Sequence, residues 1–416
     1  MNGVERAQAE EKLPKEWNTI KLGKLTTVVR GSSPRPQGDS RYYGGAIPRL
    51  MVADVTRDGM FVIPKIDFLT EEGAKLSRPM KKGDVVMVVS GAPGLPGILA
   101  VDACIHDGFV GFRDLDTQIV SNTYLFHYLK YINKITDAQA GGAIFRNLTT
   151  DQIKEFDIDY PPLAEQKQIV DILSDRLSTV DKARTATEAQ LKAAKVLPAA
   201  YLRQVFDSPE AQKWKRRKLG DVLHDIEAGK SLKCDGRPAE LKEWGVLKVS
   251  AVSWGKFKPE QNKLLPAYFI SLPEHEVQAG DLLISRANTT ELVGAVVLVE
   301  KGVRSRLMLS DKTLRLIPTS QADKGYLELS LRERIAREYI EENGTGTSDS
   351  MKNITQLTIR NIPILMPPVS RQIEIAEAHR KRQPEIERVL QSLQSQLATI
   401  NKLPAALLRQ AFNGEL

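Results

Sequence analysis

The feature that most constrains this chain is that its sequence is duplicated. Residues 197–206 read LPAAYLRQVF and residues 403–412 read LPAALLRQAF, so eight of ten positions are identical at an offset of 206. Nearer the N-terminus the offset is 197, which aligns Trp17 with Trp214. The chain is therefore two copies of one unit, whose ends agree while their middles differ.

Each copy has two parts of different composition. The first parts, 17–160 and 214–366, are broken by glycine and proline into short apolar segments, which predict buried strands with short helices between them. The second parts, 161–206 and 367–412, contain no glycine and predict long helices. We therefore predict two mixed domains, each followed by a long helical segment.

The second helical segment carries a coiled-coil stripe. Its apolar residues follow the 4-3-4-3 spacing of a helical seam, at Ile386, Leu390, Leu393, Leu397 and Ile400. A helix of about 33 residues is ~50 Å long, and one this long with a single apolar stripe needs a partner. The other copy supplies one, so we predict an α+β fold. It has two mixed α/β domains in tandem pseudo-twofold repeat, separated by two long antiparallel coiled-coil helices.

Composition narrows the class of protein. The chain has 59 Lys and Arg against 52 Asp and Glu, a formal charge of +7, which favours a polyanionic partner. The second domain carries +4 and the first only +1, so DNA binding requires cations gathered on one face rather than bulk charge. Two cysteines, Cys104 and Cys234, exclude a disulfide framework and a four-cysteine zinc site. The N-terminus lacks the apolar core of a signal peptide, and we expect a cytoplasmic protein.

Catalytic motifs are not apparent. Gly229, Lys230 and Ser231 end like a phosphate-binding loop, but His224 stands where that motif requires glycine. The five histidines show no metal-ligand spacing. We therefore predict a non-catalytic chain that holds no metal and no cofactor.

The order of the duplicated motifs resembles a known family, the specificity subunits of type I restriction–modification enzymes. The resemblance rests on the Trp-x4-Leu-Gly start of each copy and on the turns Lys82-Gly-Asp84 and Ala279-Gly-Asp281. It rests also on the Pro-Pro-(Leu/Val)-x-x-Gln helix starts and on the terminal Leu-Arg-Gln-x-Phe-x-Gly-Glu-Leu.

The resemblance implies a function and a set of partners. Two target-recognition domains would each read one half of a bipartite, asymmetric site on double-stranded DNA. The helices would set the spacer and dock two modification (methyltransferase) subunits, in a complex that also contains restriction (translocase-endonuclease) subunits. S-adenosylmethionine would be used by the methyltransferase, and ATP and Mg by the endonuclease. The alternatives are a scaffold whose basic loops are incidental and an enzyme with an unrecognised site.

Candidate DNA contacts are Arg, Lys, Asn, Tyr and small polar residues in glycine-rich loops, because these groups bond base edges and phosphates. In the first domain they are Arg30, Ser32, Arg35, Arg41, Tyr42, Tyr43, Arg49, Ser90, Gly91, Arg146 and Asn147. In the second they are Lys230, Lys233, Arg237, Lys248, Ser285, Arg286, Asn288, Thr289, Lys352 and Asn353. For each, the alternative is a solvated loop residue. Because Asn147 and Asn353 recur at equivalent positions, they have capping of the next turn as a structural alternative.

Two apolar pairs are candidate partner-binding residues. Leu202 and Phe206 share a helical face at i, i+4, as do Leu408 and Phe412. Such faces either dock a modification subunit or pack onto the domain of the opposite copy.

Overall fold

The structure, a computed structural model, describes residues 16–140, 149–234, 236–253, 256–266, 268–269, 272–348 and 351–416. The chain divides into two compact units. Unit 1 comprises Met1–Ala189 and Leu393–Leu416, and unit 2 comprises Gln190–Ser392. Each unit therefore joins one mixed domain to the final helix of the other copy.

The described part of unit 1 is built on two larger β-sheets and one two-stranded sheet. Its strands are β1 (Asn18–Lys21), β2 (Thr27–Arg30), β3 (Tyr43–Leu50), β4 (Phe61–Val62), β5 (Asp67–Leu69), β6 (Arg78–Met80), β7 (Val85–Val88), β8 (Pro96–Leu99), β9 (Ala103–Ile105), β10 (Phe109–Arg113) and β11 (Asp157–Tyr160). Its helices are α1 (Leu22–Leu25), α2 (Val52–Asp58), α3 (Glu71–Leu76), α4 (Asn122–Ala140) and α5 (Thr150–Lys154). The main sheet has the order β2-β10-β7-β8-β4 and the second sheet β5-β3-β9-β6, while β1 pairs with β11.

The linking helices follow this domain. They are α6 (Leu163–Lys195) and α7 (Leu197–Phe206). Helix α6 begins directly after Pro161 and Pro162, as expected, because proline fits the start of a helix and ends the preceding strand.

Unit 2 repeats the same frame. Its strands are β12 (Lys215–Lys218), β13 (Leu223–Ala228), β14 (Gly245–Leu247), β15 (Val252–Ser253), β16 (Lys256–Phe257), β17 (Asn262–Leu264), β18 (Leu282–Ser285), β19 (Ala287–Asn288), β20 (Val296–Leu298), β21 (Leu307–Met308), β22 (Thr313–Pro318), β23 (Thr345–Ser348), β24 (Met351–Asn353) and β25 (Pro363–Met366). Its helices are α8 (Lys324–Ser330), α9 (Arg334–Asn343) and α10 (Gln356–Arg360), followed along the chain by α11 (Val369–Ile400) and α12 (Leu403–Phe412). The main sheet has the order β13-β22-β18-β20, which matches β2-β10-β7-β8 of unit 1. The remaining sheets have the orders β17-β14-β21, β19-β24-β23, β12-β25 and β15-β16. The structure thus confirms the predicted fold class of mixed domains with long helical segments.

The repeated glutamine at each helix start is a buried side chain that forms hydrogen bonds with three backbone groups. In unit 1 the Gln166 amide donates to the carbonyls of Ile119 and Pro161, at 2.7 and 2.9 Å, and accepts from the Ser121 N–H at 3.0 Å. Gln372 makes the equivalent set of three hydrogen bonds in unit 2. All three partners are backbone groups in the interior that need a hydrogen bond. Replacing the glutamine by an apolar residue would therefore lower the stability of the fold.

The other repeated motifs also build the frame. In the Gly-Asp turns, Asp84 and Asp281 accept the backbone N–H three residues earlier, at 2.7 and 2.9 Å, and the preceding glycines have positive φ. In the Leu-Gly motifs, a Cβ on Gly23 would lie 2.7 Å from the Lys154 side chain. The motifs that align the two copies therefore fix turns and close packing.

The partner-binding prediction is wrong for direct contact by Leu202, Phe206, Leu408 and Phe412. All four are buried, the first two against Tyr326 in unit 2 and the last two in the core of unit 1. The i, i+4 faces predicted from the sequence exist, but these four side chains complete domain cores and are not exposed for contact with a second protein.

The long helix α11 continues across Pro384. Along it the five predicted stripe residues are half-buried, while most of their helical neighbours are exposed. The apolar stripe therefore lies on the less exposed face of this helix.

Candidate nucleic-acid interface

Strand topology brings three loops to one edge of each main sheet. In unit 1, β10 is antiparallel to both β2 and β7, so the end of β2, the start of β10 and the end of β7 lie at the same edge. Backbone hydrogen bonds join the loops: Gly31 N–H donates to Phe109 O at 2.9 Å, and Val89 N–H to Gly108 O at 2.8 Å. Residues 30–36, 89–95 and 106–108 together are called the loop edge of unit 1.

The same edge exists in unit 2, where it comprises residues 229–233, 286–289 and 309–312. There Gly229 N–H donates to Ser310 O at 3.2 Å, and Arg286 N–H donates to Lys312 O at 2.9 Å. The two loop edges are therefore equivalent in position, although their sequences differ.

One glycine in each unit makes this convergence possible. A Cβ on Gly31 would lie 1.9 Å from the carbonyl oxygen of His106, and a Cβ on Gly229 would lie 1.9 Å from that of Leu309. No side chain fits at that distance, so only glycine lets the first loop rest directly on the neighbouring hairpin.

In unit 1 two exposed arginines contact Asp107, and a third, Arg78, contacts one of these two. The Arg30 guanidinium donates to the Asp107 carbonyl at 2.9 Å, and Arg35 pairs with the Asp107 carboxylate at 3.3 Å. A hydrogen bond from the Ser33 hydroxyl lowers the pKa of Asp107, which keeps that carboxylate charged. Arg78, which the sequence analysis missed, donates to the Arg30 carbonyl at 3.1 Å. It lies on a short strand without glycine, so only the tertiary structure reveals it.

The other predicted residues near this loop are largely engaged in local hydrogen bonds. Ser32 donates to the Leu76 carbonyl at 3.0 Å, and the Tyr43 hydroxyl donates to the Pro34 carbonyl at 2.8 Å. Arg41 is exposed, pairs with Asp39 at 2.7 Å and stacks over the ring of the adjacent Tyr42. Arg41 and Tyr42 lie before β3, at the opposite end of that strand from its pairing with β9.

Arg49 is not a surface contact, contrary to the prediction. It is 5% exposed, forms an ion pair with Asp67 and donates to the Ser33 hydroxyl at 2.8 Å. A buried guanidinium so paired cannot reach DNA, and its role is to hold the first loop in place.

Ser90 and Gly91 are exposed at the loop edge, where Gly91 has φ +91°. The predicted contacts Arg146 and Asn147 lie outside the described residues.

The loop edge of unit 2 carries basic residues whose side chains form no hydrogen bond or ion pair with the described residues. Lys230 bridges to Ser310 through the backbone, which places it beside Lys312 and Arg286. Among the residues that the structure describes, these three side chains have no hydrogen-bond or ion-pair partner. Lys312 was missed because an Asp-Lys pair between two strands is typical of an ordinary turn.

The remaining predicted residues of this unit differ in availability. Lys233 is exposed near the loop edge, and Lys248 is half-buried after β14. Arg237 is held by Glu243 in an ion pair of 2.8 Å. Thr289 is exposed. Ser285 is wrong as a DNA contact, because it is fully buried and donates to the Leu292 carbonyl at 2.8 Å.

A short ribbon joins two predicted segments that are far apart in the sequence. Strand β19 pairs with β24, so that Asn288 lies opposite Lys352 and Ala287 opposite Asn353. Ile354 N–H donates to the Arg286 carbonyl at 2.9 Å, which ties the ribbon to the loop edge.

Asn353 belongs to this ribbon and does not cap the next turn. That position is taken by Thr355, whose hydroxyl accepts from Thr358 N–H at 3.0 Å, as Thr149 does at the start of α5. The capping alternative for Asn353 is therefore wrong.

Comparison with known proteins shows what this chain is similar to. Residues 14–194 match the family model described as type I restriction modification DNA specificity domain. The chain is 27% identical to the type I restriction enzyme EcoKI specificity subunit of Escherichia coli (strain K12), over 97% of this chain and 90% of that protein. The chain is therefore similar to type I specificity subunits over almost its whole length.

Two solved structures share the fold of this chain. One is the HsdS subunit from Thermoanaerobacter tengcongensis, with a TM-score of 0.59, 21% identity and coverage of 97% of this chain and 98% of that chain. Another comes from work on complex assembly and conformational transition of the type I R-M system, with a TM-score of 0.69, 19% identity and coverage of 97% and 100%.

Two further findings concern metal sites and membrane spans. Over the described ranges, no cluster of three or more His, Cys, Asp or Glu side chains is placed to hold a metal ion. No helix in the same part of the chain is both long and apolar enough to cross a membrane.

Proposed function

We propose that this chain is the DNA-reading subunit of a type I restriction–modification complex and that each loop edge contacts one half of a bipartite, asymmetric target. The observation that carries the proposal is that two equivalent sheets present two different sets of side chains at the same edge. The strand order of the sheets is repeated, while the side chains that could contact DNA differ between the two units.

The difference between the loop edges supports two unlike half-sites. In unit 1 the arginines at positions 30 and 35 are bonded to Asp107, so they present oriented guanidinium groups. Unit 2 presents Lys230, Arg286 and Lys312 in place of that cluster. Two identical readers related by symmetry would instead require a palindromic site.

The helices suit the role of a spacer. Helices α6 and α11 have 33 and 32 residues, or about 50 Å at 1.5 Å per residue. Half-sites read from one face of DNA lie about 34–36 Å apart, one turn of the duplex. We propose that these helices set the gap and dock two modification subunits, with restriction subunits completing the complex.

Catalysis belongs to the partner chains in this proposal. The modification subunits would use S-adenosylmethionine, and the restriction subunits ATP and Mg. The specificity chain would supply target recognition and no chemistry.

Selection of bound DNA from a randomised duplex library tests the proposal, with the full-length chain assembled with its modification subunits. We expect two short, different motifs separated by a constant gap, and affinity that falls steeply with salt. Inserting one heptad into both α6 and α11 should lengthen the gap and leave both motifs unchanged. A single contiguous motif, or salt-insensitive binding without a motif, would contradict the proposal.

A further inference from the structure

The β19–β24 ribbon of unit 2 places two polar side chains on one face. Asn288 and Lys352 are direct cross-strand partners, and such partners have Cβ atoms about 4.5–5.5 Å apart. The adjacent Met351 is 59% exposed, so the ribbon reaches solvent at this point. A two-stranded ribbon is one of the elements that the major groove of DNA admits.

The orientation of the Asn288 amide is fixed by its own backbone. Its Oδ1 accepts the N–H of Thr289 at 2.9 Å. Only the oxygen can accept from an N–H, so the NH2 group lies on the other side of the amide. Within the described part of the chain, this NH2 group has no hydrogen-bond acceptor, nor is it among the buried unpartnered polar atoms. Asn288 therefore presents hydrogen-bond donors to solvent.

Lys352 presents donors as well. Its ammonium donates to the Gly346 carbonyl at 3.2 Å, which uses one of its three N–H groups and holds the side chain along the ribbon. Both side chains of the pair therefore offer hydrogen-bond donors, and neither carries a negatively charged acceptor.

A pair of donors selects among the bases. In the major groove guanine shows two acceptors, N7 and O6, whereas adenine shows one acceptor and one donor. Thymine shows one acceptor and a methyl group, and cytosine shows one donor. Guanine is the base that can satisfy both donors at once.

We propose that Asn288 and Lys352 together read a guanine in the major groove of the half-site contacted by unit 2. The proposal rests on the proposed function above. Arg286 and Lys312, which lie at the base of the ribbon, are placed to contact flanking phosphates. In the first copy the position that aligns with Asn288 at the offset of 197 is Gly91, which has no side chain, so unit 1 lacks this pair.

The substitution Asn288→Asp tests the proposal with little structural change. Aspartate keeps an oxygen for the Thr289 N–H and replaces the NH2 donors with a second acceptor. In the library selection with the assembled complex, we expect one guanine to lose enrichment in one half-site and cytosine, which has a donor at N4, to replace it. Affinity for the wild-type target should fall roughly 5- to 150-fold. The second variant, Lys352→Met, should relax the same position.

Lys301→Met is the matched control. Lys301 is exposed and follows β20, which is antiparallel to β18 and so ends at the edge opposite the loops. This variant should retain both motifs and bind the wild-type target within about twofold, as expected for a solvated surface residue. Unchanged base preferences in both Asn288→Asp and Lys352→Met would overturn the proposal while leaving the bipartite function intact. Absence of a bipartite motif for the wild-type complex would overturn the proposed function itself.

Discussion

Removal of the Phe412 ring should destabilise unit 1 without changing any side chain of its loop edge. Phe412 is 2% exposed, and its ring centroid lies 5.3, 5.0 and 5.1 Å from those of Tyr124, Tyr128 and Tyr131. Truncating a buried phenylalanine to alanine costs about 3–5 kcal/mol, and ring contacts add to the area term. We therefore expect Phe412→Ala to lower the free energy of unfolding of unit 1 by about 4 kcal/mol.

Amide hydrogen exchange measured by mass spectrometry localises the effect. A loss of about 4 kcal/mol corresponds to roughly 1,000-fold faster exchange for amides that open with the core. The amides of α4, which carries all three tyrosines, should show this change, and those of α8 in unit 2 should not. Phe61→Ala is the matched control, because that ring is 57% exposed in the same unit and its loss should change exchange by less than about tenfold.

The experiment also separates the two interpretations of the apolar pairs. If Phe412→Ala left protection of α4 unchanged and abolished assembly with modification subunits, the packing argument would be refuted and the docking interpretation restored.

Three further predictions concern Gln166, Gly31 and His127. Gln166→Leu should lower the free energy of unfolding of unit 1 by about 3 kcal/mol in a denaturant titration, because it leaves three buried backbone groups without a hydrogen bond. Gln168→Leu, at an exposed position on the same helix, should cost under about 0.5 kcal/mol. Equal losses for the two variants would contradict the role given to the Gln166 hydrogen bonds. Gly31→Ala should weaken DNA binding and lower the melting temperature, because its Cβ would meet a carbonyl 1.9 Å away, whereas Gly236→Ala, with open space, should do neither. The stability of unit 1 should fall as pH drops from about 6.5 to 4. Burial lowers the pKa of His127 to about 4, so the unfolded chain binds a proton in this range that the folded chain excludes. The loss should be up to roughly 3 kcal/mol, and a His127→Phe variant whose unfolding free energy kept the same pH slope would contradict this assignment.

The candidate site shows where sequence reasoning reaches its limit. Of the glycine-rich segments predicted to contact DNA, those at 30–35, 90–91, 230–233 and 285–289 lie at or beside the loop edges, whereas Arg41 and Tyr42 lie at the other end of β3. The same pattern could not separate Arg30, which is exposed, from Arg49, which is buried beneath the loop. Both are arginines near glycines, and the difference lies in whether Asp67 and Ser33 surround the guanidinium.

Charge counts were similarly incomplete. The first domain has only one more basic than acidic residue, yet Arg30 and Arg35 both contact Asp107, and Arg78 contacts Arg30. A count treats all charges alike, whereas a binding surface depends on which of them share a face.

The sequence by itself determined that the chain is two copies of one unit, that each copy ends in a long helix, and which helical faces require burial. These are local properties, since repeats, glycine and proline positions and apolar spacing are read along the chain. Only the tertiary structure decided that α12 completes the core of unit 1 and α7 that of unit 2. It alone also showed that Asn288 meets Lys352 across a ribbon. Burying an apolar face stabilises the fold by an amount that depends on the buried area, whichever segment covers it. A strand can likewise pair with any neighbour whose register fits. The partner in each case is chosen by packing of the whole chain, which spacing along the sequence does not record.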